Sequence, residues 1–339
     1  MNMVDLFCGC GGLSTGFEQA GFSVAFASDI DPICSDTYMK NINISADKIF
    51  IGDIAKLNEE YNQYSDYFQD IDLICGGPPC QGFSMANRQR LIDDPRNHLY
   101  KEFLSFLKKA KPKFFVMENV KGMLNKIDEI LKDISDILGS AYSVHYKVFN
   151  ARDFGVPQNR ERLIVIGNRL GISSVQIIED IEARCSHLPR FTLLDAISDL
   201  PELKPNHRKN STYFESNDIG FFEIVYTYKK TPFYLFINGD KELKFLYNHK
   251  NRYNNDRDIE IYTRLPQGAN SLHPSIQDIM PYKSRNDIFK DKYFKLKYDD
   301  ICKTITSHMK FDCNMYIHPT QSRGLSPREA ARIQTFPDD

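Results

Sequence analysis

The 339-residue sequence predicts an α/β fold, with a doubly wound, Rossmann-like sheet and a second, smaller and β-rich domain. Three observations favour the doubly wound sheet. Short apolar segments alternate with segments of helical pattern through the first half of the chain. Closely spaced glycines follow the first apolar segment, as in nucleotide-binding folds. Polar or reactive side chains follow several other apolar segments, at the sheet edge where such folds bind ligands.

The first apolar segment begins at Val4 and runs into Gly9, Gly11 and Gly12 before a helical pattern. Asp29 closes the second apolar segment. A glycine turn with an acid about 20 residues later is typical of nucleoside cofactor sites, where the acid accepts hydrogen bonds from ribose hydroxyls. The glycine spacing is not GxGxxG, which disfavours NAD. A purely structural glycine turn is the alternative.

The segment from Gly76 to Ser84, GGPPCQGFS, follows a third apolar segment, Ile71 to Cys75. Two prolines stiffen the backbone immediately before Cys80. A cysteine on a stiff loop at the carboxyl end of a strand is placed for nucleophilic chemistry, although thiolate reactivity depends on its surroundings. A buried core cysteine is the alternative.

A fourth apolar segment ends in Glu118, which should therefore reach the same sheet edge as Cys80. A carboxyl group held there can carry a proton, and a salt-bridged structural glutamate is the alternative. Arg160 and Arg162 alternate along Gln158 to Arg162, so they should share one face of an extended segment. Their planar guanidinium groups suit phosphates or carbonyl edges, whereas a solvated strand end would need no ligand.

The C-terminal segment predicts a helix that begins after Ser326. Ser326 is a favourable N-cap, Pro327 suits the first helical position, and Glu329 lies three residues after the cap.

Composition is that of a globular protein, with 42% hydrophobic and 26% charged residues. No signal-peptide pattern opens the sequence, and no apolar run is long enough to span a membrane. The eight cysteines lack paired CxxC spacing, so we expect the reduced thiols of a cytoplasmic protein and no metal.

The middle of the chain differs in charge and composition. Ser186 to Phe311 contains 20 Lys and Arg against 16 Asp and Glu, whereas the whole chain has 43 against 45. The excess of basic residues in this segment suits contact with nucleic-acid phosphates. A locally basic surface that binds no nucleic acid would give the same excess. From about Asn206 the segment is polar and aromatic, which favours short strands.

Taken together and in order, these motifs resemble the DNA (cytosine-5)-methyltransferases of bacterial restriction-modification systems. The resemblance covers most of residues 1–170 and 300–339 and rests on the following segments: the Asp5–Gly16 loop, Asp29, Gly52-Asp53-Ile54, Pro78-Pro79-Cys80-Gln81, Glu118-Asn119-Val120, Gln158-x-Arg160-x-Arg162 and Arg328–Pro337. It implies a bacterial, cytoplasmic enzyme of restriction-modification or related phage defence. Such an enzyme methylates C5 of a cytosine that is flipped out of a specific duplex DNA sequence.

The resemblance also implies roles for the candidate catalytic residues. Cys80 would add to C6 of the base, and Glu118 would donate a proton or hydrogen bond at N3. Arg162 would bind the base carbonyl O2, while Arg160 would order the catalytic loop or contact a phosphate. Residues 83–96 would form a mobile loop whose phosphate contacts are Ser84, Arg88 and Arg90; a simple surface loop is the alternative for these three.

The implied cofactor is S-adenosylmethionine, without a metal. Its contacts would be Phe7, Gly9, Cys10, Gly11, Gly12, Asp29, Ile30, Asp53, Ile54, Pro79 and Leu99. Ile30 departs from the many relatives that have an aromatic residue there to stack on the adenine. Its branched side chain can still pack against the ring.

By the same resemblance, residues 1–185 and 312–339 would form the catalytic, S-adenosylmethionine-binding domain, and residues 186–311 the target recognition domain that reads double-stranded DNA. Relatives carry a further Gly-Asn-x-Val-Pro motif and helix after the Phe-Pro-Asp segment, whereas this sequence ends at Asp339. A truncation, residues beyond the given sequence, or a second polypeptide that completes the cofactor pocket would each explain this.

Two other functions fit the same fold. A DNA-binding regulator without activity would be free to lose Cys80, Glu118 or the arginines, yet all are present. RNA cytosine methyltransferases usually carry their nucleophile where this chain has Glu118-Asn119. A DNA-like subgroup that acts on tRNA tends to have Pro-Phe-Thr where this chain has Gly82-Phe83-Ser84, so DNA is the expected substrate.

Overall fold

The computed structural model describes residues 1–79, 99–207, 223–281, 290–310 and 313–339. The chain divides into two compact units. The first unit comprises Met1–Phe149 and Glu161–His187, and the second comprises Asn150–Arg160 and Leu188–Asp339. In the described residues, no helix combines the length and the apolar character needed to cross a membrane.

The first unit alternates strands and helices, as the sequence predicts. Its strands are β1 Asn2–Leu6, β2 Ser23–Asp29, β3 Ile49–Ile51, β4 Leu73–Gly76, β5 Phe114–Val120, β6 Ser143–Asn150 and β8 Glu161–Asn168. Its helices are α1 Gly12–Gln19, α2 Pro32–Ile42, α3 Ile54–Glu59, α4 Leu99–Ala110, α5 Ile127–Leu138 and α6 Ser174–Cys185.

These seven strands form one sheet in the order β3-β2-β1-β4-β5-β8-β6. Strands β3, β2, β1, β4 and β5 pair in parallel, and β8 runs antiparallel to β5. Strand β1 lies between β2 and β4, so the winding reverses direction there. The crevice at the carboxyl ends of β1 and β4 is the ligand-binding position of such sheets. The predicted doubly wound α/β fold is therefore confirmed.

The sheet is covered on both faces, because alternate residues of its strands enter different cores. Val4 and Leu6 of β1 belong to one buried cluster with Phe115, whereas Met3 belongs to another. Gly76, the last residue of β4, is required by the close packing of β1. A Cβ atom there would lie 2.5 Å from the Leu6 carbonyl oxygen, so a larger residue would force the two strands apart.

The second unit has short elements. Its strands are β7 Gln158–Asn159, β9 Glu223–Val225, β10 Phe245–Tyr247 and β11 Cys302–Lys303. Its helices are α7 Leu193–Ile197, α8 Pro232–Asn238, α9 Asp256–Arg264 and α10 Pro327–Ile333. Strands β9 and β10 pair antiparallel, and β7 and β11 pair in parallel.

The aromatic segment of the second unit forms the predicted short strands only in part, as β9 and β10. Phe233, Tyr234 and their neighbours form helix α8, because the side chain of Thr231 accepts a hydrogen bond from the Tyr234 amide and Pro232 occupies the first turn. Capping and proline geometry therefore override the β propensity of the aromatic residues.

The compact units also differ from the predicted domain division at the C-terminal segment. Residues 313–339, which the sequence groups with the first 185 residues, belong to the second unit. The reason is that α10 packs against α7, and its Ile333 shares a buried cluster with Leu193 and Phe233.

Helix α10 begins as predicted, with a complete capping box. The Ser326 side chain accepts a hydrogen bond from the Glu329 amide, and the Glu329 carboxylate accepts one from the Ser326 amide. Glu329 also forms a two-bonded ion pair with Arg323, with both N–O distances 2.7 Å and both side chains buried. Its interaction with Arg323 holds the pKa of Glu329 below its usual value despite burial.

Replacing Glu329 by Gln should lower the free energy of unfolding by about 3–5 kcal/mol, because Arg323 would remain buried without a charged partner. Urea unfolding followed by circular dichroism measures this loss. The matched control is Glu260→Gln, which removes the exposed partner of Arg264 in α9 and should cost no more than about 1 kcal/mol. Equal losses in the two variants would contradict a structural role for the buried pair.

Candidate active site and cofactor site

The glycine loop, residues 7–12, connects β1 to α1. Phe7, Gly9 and Gly11 have φ angles of 58°, 53° and 91°, in the left-handed region. Glycine adopts this conformation readily, whereas Phe7 does so at a cost in strain. The Gly11 amide donates to the Cys8 carbonyl at 2.9 Å, which closes a tight turn before α1. The first amides of α1, from Gly12, therefore lie at the sheet's predicted ligand edge.

Asp29, at the end of β2, fixes this loop. Its Oδ2 accepts a hydrogen bond from the Gly9 amide at 2.8 Å, and its Oδ1 accepts one from the Asp31 amide at 2.9 Å. The carboxylate thus connects the glycine loop with the residue that caps α2. Ile30 follows with 71% of its surface exposed, so an apolar side chain stands next to the predicted ribose-binding acid.

The end of β3 lies beside Asp29. The Gly52 amide donates to the Asp29 carbonyl at 2.9 Å, and the next residue, Asp53, caps α3 by accepting from the Ala55 amide at 2.8 Å. The Ile54 side chain is buried in the core. The structure therefore brings the glycine loop, Asp29 and Asp53 to one region, while the cofactor contacts themselves stay a prediction.

A buried polar network below the glycine loop was not predicted from the sequence. Asp5, the last but one residue of β1, accepts a hydrogen bond from the Ser14 hydroxyl at 2.6 Å and one from the Cys75 thiol at 3.5 Å. The Ser14 hydroxyl also contacts the Tyr38 hydroxyl at 2.6 Å. Burial raises the pKa of Asp5 to about 7. An acid inside an otherwise apolar strand was the signal available in the sequence.

The Pro-Pro loop after β4 is anchored to β5. The Asn119 side-chain amide donates to the Pro78 carbonyl at 2.8 Å, and a Cβ atom on Gly77 would lie 3.1 Å from Glu118 Oε2. Glu118 and the start of the predicted nucleophile loop are therefore neighbours. Pro79 is exposed, and Leu99 is partly buried at the start of α4. The predicted residues Cys80, Ser84, Arg88 and Arg90 lie outside the described residues.

Glu118 forms an ion pair with Arg162. Arg162 Nε lies 2.7 Å from Glu118 Oε1, and both side chains are partly exposed. The pair follows from the antiparallel register, in which Arg162 lies opposite Val120 and Ile164 lies opposite Glu118. Glu118 and Arg162 are thus diagonal neighbours on one face of the sheet. The carboxylate is held with one oxygen on Arg162 and the other near Gly77.

Arg160 does not continue the same strand as Arg162. Gln158 and Asn159 form β7, which pairs with β11, whereas β8 begins at Glu161 and belongs to the large sheet. The single extended segment predicted from alternation is therefore divided at Arg160, because its two halves hydrogen-bond to different partner strands. The Arg160 guanidinium donates to the Ile305 carbonyl at 3.3 Å within the second unit.

The comparison with known families decides the assignment. The family model described as C-5 cytosine-specific DNA methylase matches residues 1–339. The chain belongs to this family.

Two relatives of this DNA methylase support the family assignment. It is 33% identical over 351 residues to the type II methyltransferase M.DdeI of Desulfomicrobium norvegicum, covering 100% of this chain and 79% of the relative. It is 32% identical over 345 residues to M1.HphI of Haemophilus parahaemolyticus, covering 100% and 78%. The predicted class, a DNA (cytosine-5)-methyltransferase of the restriction-modification type, is confirmed.

A solved structure supports the same fold for this methylase. It is the crystal structure of a provisionally named DNA modification methyltransferase encoded within an E. coli prophage. The identity is 28% and the TM-score 0.74, with 100% of this chain and 89% of that chain covered.

In the described part of this chain, no group of three or more His, Cys, Asp or Glu side chains is arranged to hold a metal ion.

The raised pKa of Asp5 predicts that the stability of this methylase depends on pH. Well below pH 4 the carboxyl group is protonated in folded and unfolded chains alike. As the pH rises from there to about 7, the unfolded chain releases the proton while the folded chain keeps it, so Asp5 destabilises the fold progressively. The Asp5→Asn variant should lack this loss. Urea unfolding of both proteins across this pH range measures it, and parallel pH curves would contradict the burial effect.

Proposed function

We propose that this methyltransferase uses S-adenosylmethionine to methylate C5 of a cytosine flipped out of duplex DNA, through covalent addition of Cys80 to C6. The observation that carries the proposal is the Glu118–Arg162 ion pair beside the loop that leads to Cys80, with Asn119 bound to Pro78. An acid and a planar cation next to a cysteine loop suit the polar edge of a pyrimidine.

The chemistry explains why these groups are needed together. C5 of cytosine is a weak nucleophile, so it does not attack a sulfonium methyl group directly. Addition of the Cys80 thiolate to C6, with a proton delivered to N3, would convert the ring into an enamine whose C5 could accept the methyl group that S-adenosylmethionine supplies. Removal of the C5 proton by a base would then expel the thiolate, and return of the N3 proton to Glu118 would restore the neutral aromatic base. Water can act as that base.

Glu118 and Arg162 have complementary roles in this scheme. Glu118 delivers the proton to N3, and Arg162 binds the base carbonyl O2, where negative charge develops. In the ion pair Glu118 is a carboxylate, with Oε1 held by Arg162 and Oε2 near Gly77, so it would take up the proton for N3 as the base binds. Preorganised groups of this kind need little rearrangement during the reaction.

The same edge of the sheet suits S-adenosylmethionine. The carboxylate of Asp29 would accept hydrogen bonds from the ribose hydroxyls, and the amides that begin α1 at Gly12 suit the methionine carboxylate. Phe7 and Ile30 would contact the adenine, whose edge would be read near Asp53 and Ile54. Gly9, Cys10 and Gly11 would line the methionine end, with further contacts from Pro79 and Leu99. Transfer of a sulfonium methyl group requires no metal.

DNA binding completes the proposal. The target carbon is inaccessible in a stacked duplex, so the cytosine must leave the helix. Ser84, Arg88 and Arg90 would contact phosphates around the extruded nucleotide, and Arg160 would order this loop or bind a phosphate. Residues 186–311 would read the DNA sequence, with residues 1–185 and 312–339 as the catalytic domain.

Replacing Cys80 by Ala should abolish methyl transfer, because the enamine would not form. Duplex DNA with 5-fluorocytosine at the target should trap the wild-type protein covalently, since fluorine cannot leave as a proton. The matched control is Cys185→Ser in α6, which should be trapped like the wild type. Trapping of Cys80→Ala at wild-type yield would contradict the nucleophile assignment.

The target sequence and substrate class are tested on the same proteins. Bisulfite sequencing of DNA from a host that expresses the wild type should show methylation at one sequence, and the Cys80→Ala host should show none. Radiolabelled methyl transfer to purified duplex DNA, but not to tRNA, is expected. Transfer to tRNA alone would overturn the proposed substrate.

Replacing Glu118 by Gln should lower turnover by about 10²–10⁴-fold, the usual effect of removing a general acid, because the amide cannot deliver a proton. S-adenosylmethionine affinity should change little, since Glu118 is assigned to the base. The matched control is Glu161→Gln. Glu161 begins β8 and forms an exposed ion pair with Lys121, so its replacement should leave turnover unchanged. Wild-type turnover in Glu118→Gln would make Glu118 a structural residue.

A further inference from the structure

Helix α1 begins without a side-chain cap. Its N-cap residue is Gly11, which has no side chain to accept hydrogen bonds from the first amides of the helix. Polar side chains at this position usually satisfy one of those amides and fix the start of a helix. The first turn of α1 must therefore be held in place by other contacts, and these come from the buried side of the glycine loop.

The Ser14 hydroxyl supplies one of these contacts. Ser14 is the third residue of α1 and is fully buried. Its hydroxyl donates to Asp5 Oδ2 at 2.6 Å and lies 2.6 Å from the Tyr38 hydroxyl. A serine hydroxyl has one proton, and Asp5 receives it, so Tyr38 must be the donor in the second bond. Two O–H bonds in series thus connect α2, through the first turn of α1, to β1.

Tyr38 also contacts the other end of the turn, through its ring. A Cβ atom on Gly11 would lie 3.1 Å from Tyr38 Cδ2 and 3.3 Å from Ile42 Cγ1, so the backbone at Gly11 packs directly on the tyrosine. Tyr38 is fully buried. Burial raises its pKa well above the usual range, so the hydroxyl keeps its proton and remains a donor. One side chain therefore contacts Gly11 with its ring and holds Ser14 with its hydroxyl.

We propose that Tyr38 and Ser14 are positioning residues for S-adenosylmethionine binding, because they hold the glycine loop and the first amides of α1 in the conformation that the cofactor requires. The proposal rests on the assignment of this loop to the cofactor. Both side chains are fully buried, so neither is available to contact the cofactor, and each would act through the backbone that it supports. The loss of such supporting residues loosens a site without removing a ligand contact.

A purely structural role in the core is the alternative, and the two roles can be separated because the ring and the hydroxyl of Tyr38 make different contacts. Tyr38→Phe keeps the ring against Gly11 and Ile42 and removes only the hydrogen bond to Ser14. The bond from Ser14 to Asp5 also remains. This variant therefore retains the core packing while it releases the first turn of α1 from α2.

The test measures S-adenosylmethionine binding to the purified full chain by calorimetry. Tyr38→Phe should raise the Kd about tenfold, because the binding conformation loses a buried hydrogen bond. In steady-state methyl transfer, the KM for S-adenosylmethionine should rise by the same factor with kcat unchanged, since binding is weakened but the chemical step is not. The matched control is Tyr67→Phe, which removes a hydroxyl that donates to Asp47 at 2.9 Å and should retain the wild-type Kd.

A wild-type Kd in Tyr38→Phe would overturn the proposal. Urea unfolding of the same variants gives the free energy of unfolding. If Tyr38→Phe lowers this free energy while the Kd stays unchanged, Tyr38 is a structural residue only.

A double-mutant cycle tests whether the two residues act in series. Ser14→Ala should weaken binding at least as much as Tyr38→Phe, because it also removes the bond to Asp5. Adding Tyr38→Phe to Ser14→Ala should then cause little further loss, since the acceptor of the tyrosine is already missing. Losses that multiply in the double variant would show that the residues act independently and would overturn the action in series. The Tyr38→Phe result decides the positioning role by itself if Ser14→Ala does not fold.

Amide hydrogen exchange separates this proposal from the assignment of the cofactor. The Gly11 amide donates to the Cys8 carbonyl at 2.9 Å, and its exchange should be faster in Tyr38→Phe than in the wild type or in Tyr67→Phe. Faster exchange, combined with a wild type that binds no S-adenosylmethionine, would refute the proposed cofactor and leave the effect on the loop established. Unchanged exchange and an unchanged Kd, in a wild type that binds the cofactor, would refute the positioning role alone.

Discussion

The carboxylate of Asp29 is the interaction on which the predicted cofactor edge depends. This carboxylate accepts hydrogen bonds from the amides of Gly9 and Asp31. The backbone carbonyl of Asp29 accepts a hydrogen bond from the amide of Gly52. One residue thus connects the segments that follow β1, β2 and β3. Buried or partly buried amides need partners, and a charged acceptor makes stronger bonds than a neutral one. The three loops at this edge are therefore held by hydrogen bonds to the same residue, Asp29.

Strand alternation in β5 organises the part of the sheet edge that is proposed to carry the chemistry. Successive residues of β5 point to opposite faces, so Glu118 reaches Arg162 while Asn119 turns to the carbonyl of Pro78. One side chain enters the proposed chemistry, and the next secures the loop that carries Cys80. A change of one residue in the register of β5 would turn both side chains to the opposite faces of the sheet and break both contacts.

Much of the first unit, and the start of α10 in the second, could be predicted from sequence, because their signals are local. Apolar segments, the glycine turn and the capping box at Ser326 each depend on a few neighbouring residues. The split at Arg160 could not be predicted, since it depends on which distant strand pairs with each half of the segment. The aromatic segment of α8 was misread because Thr231 and Pro232 determine its conformation more strongly than the propensity of the residues that follow.

The sequence motifs predict which residues belong to the candidate site, but not which of them contact each other. Glu118 and Arg162 were both identified, but their ion pair depends on the β5–β8 register. The Asp5 network was missed for a related reason. Its partners come from α1, α2 and β4, and only the folded arrangement shows that a carboxyl group inside a strand has hydrogen-bond donors.

The strand order has a consequence for synthesis on the ribosome. Strand β6 is made before β8, yet β8 lies between β5 and β6 in the finished sheet. Until residue 168 has emerged, β5 has an unpaired edge, and Glu118 has no Arg162 beside it. An incomplete chain is therefore both prone to associate through that edge and without its acid–arginine pair. The last strand to enter the sheet is also the one that assembles the pair proposed to act on DNA.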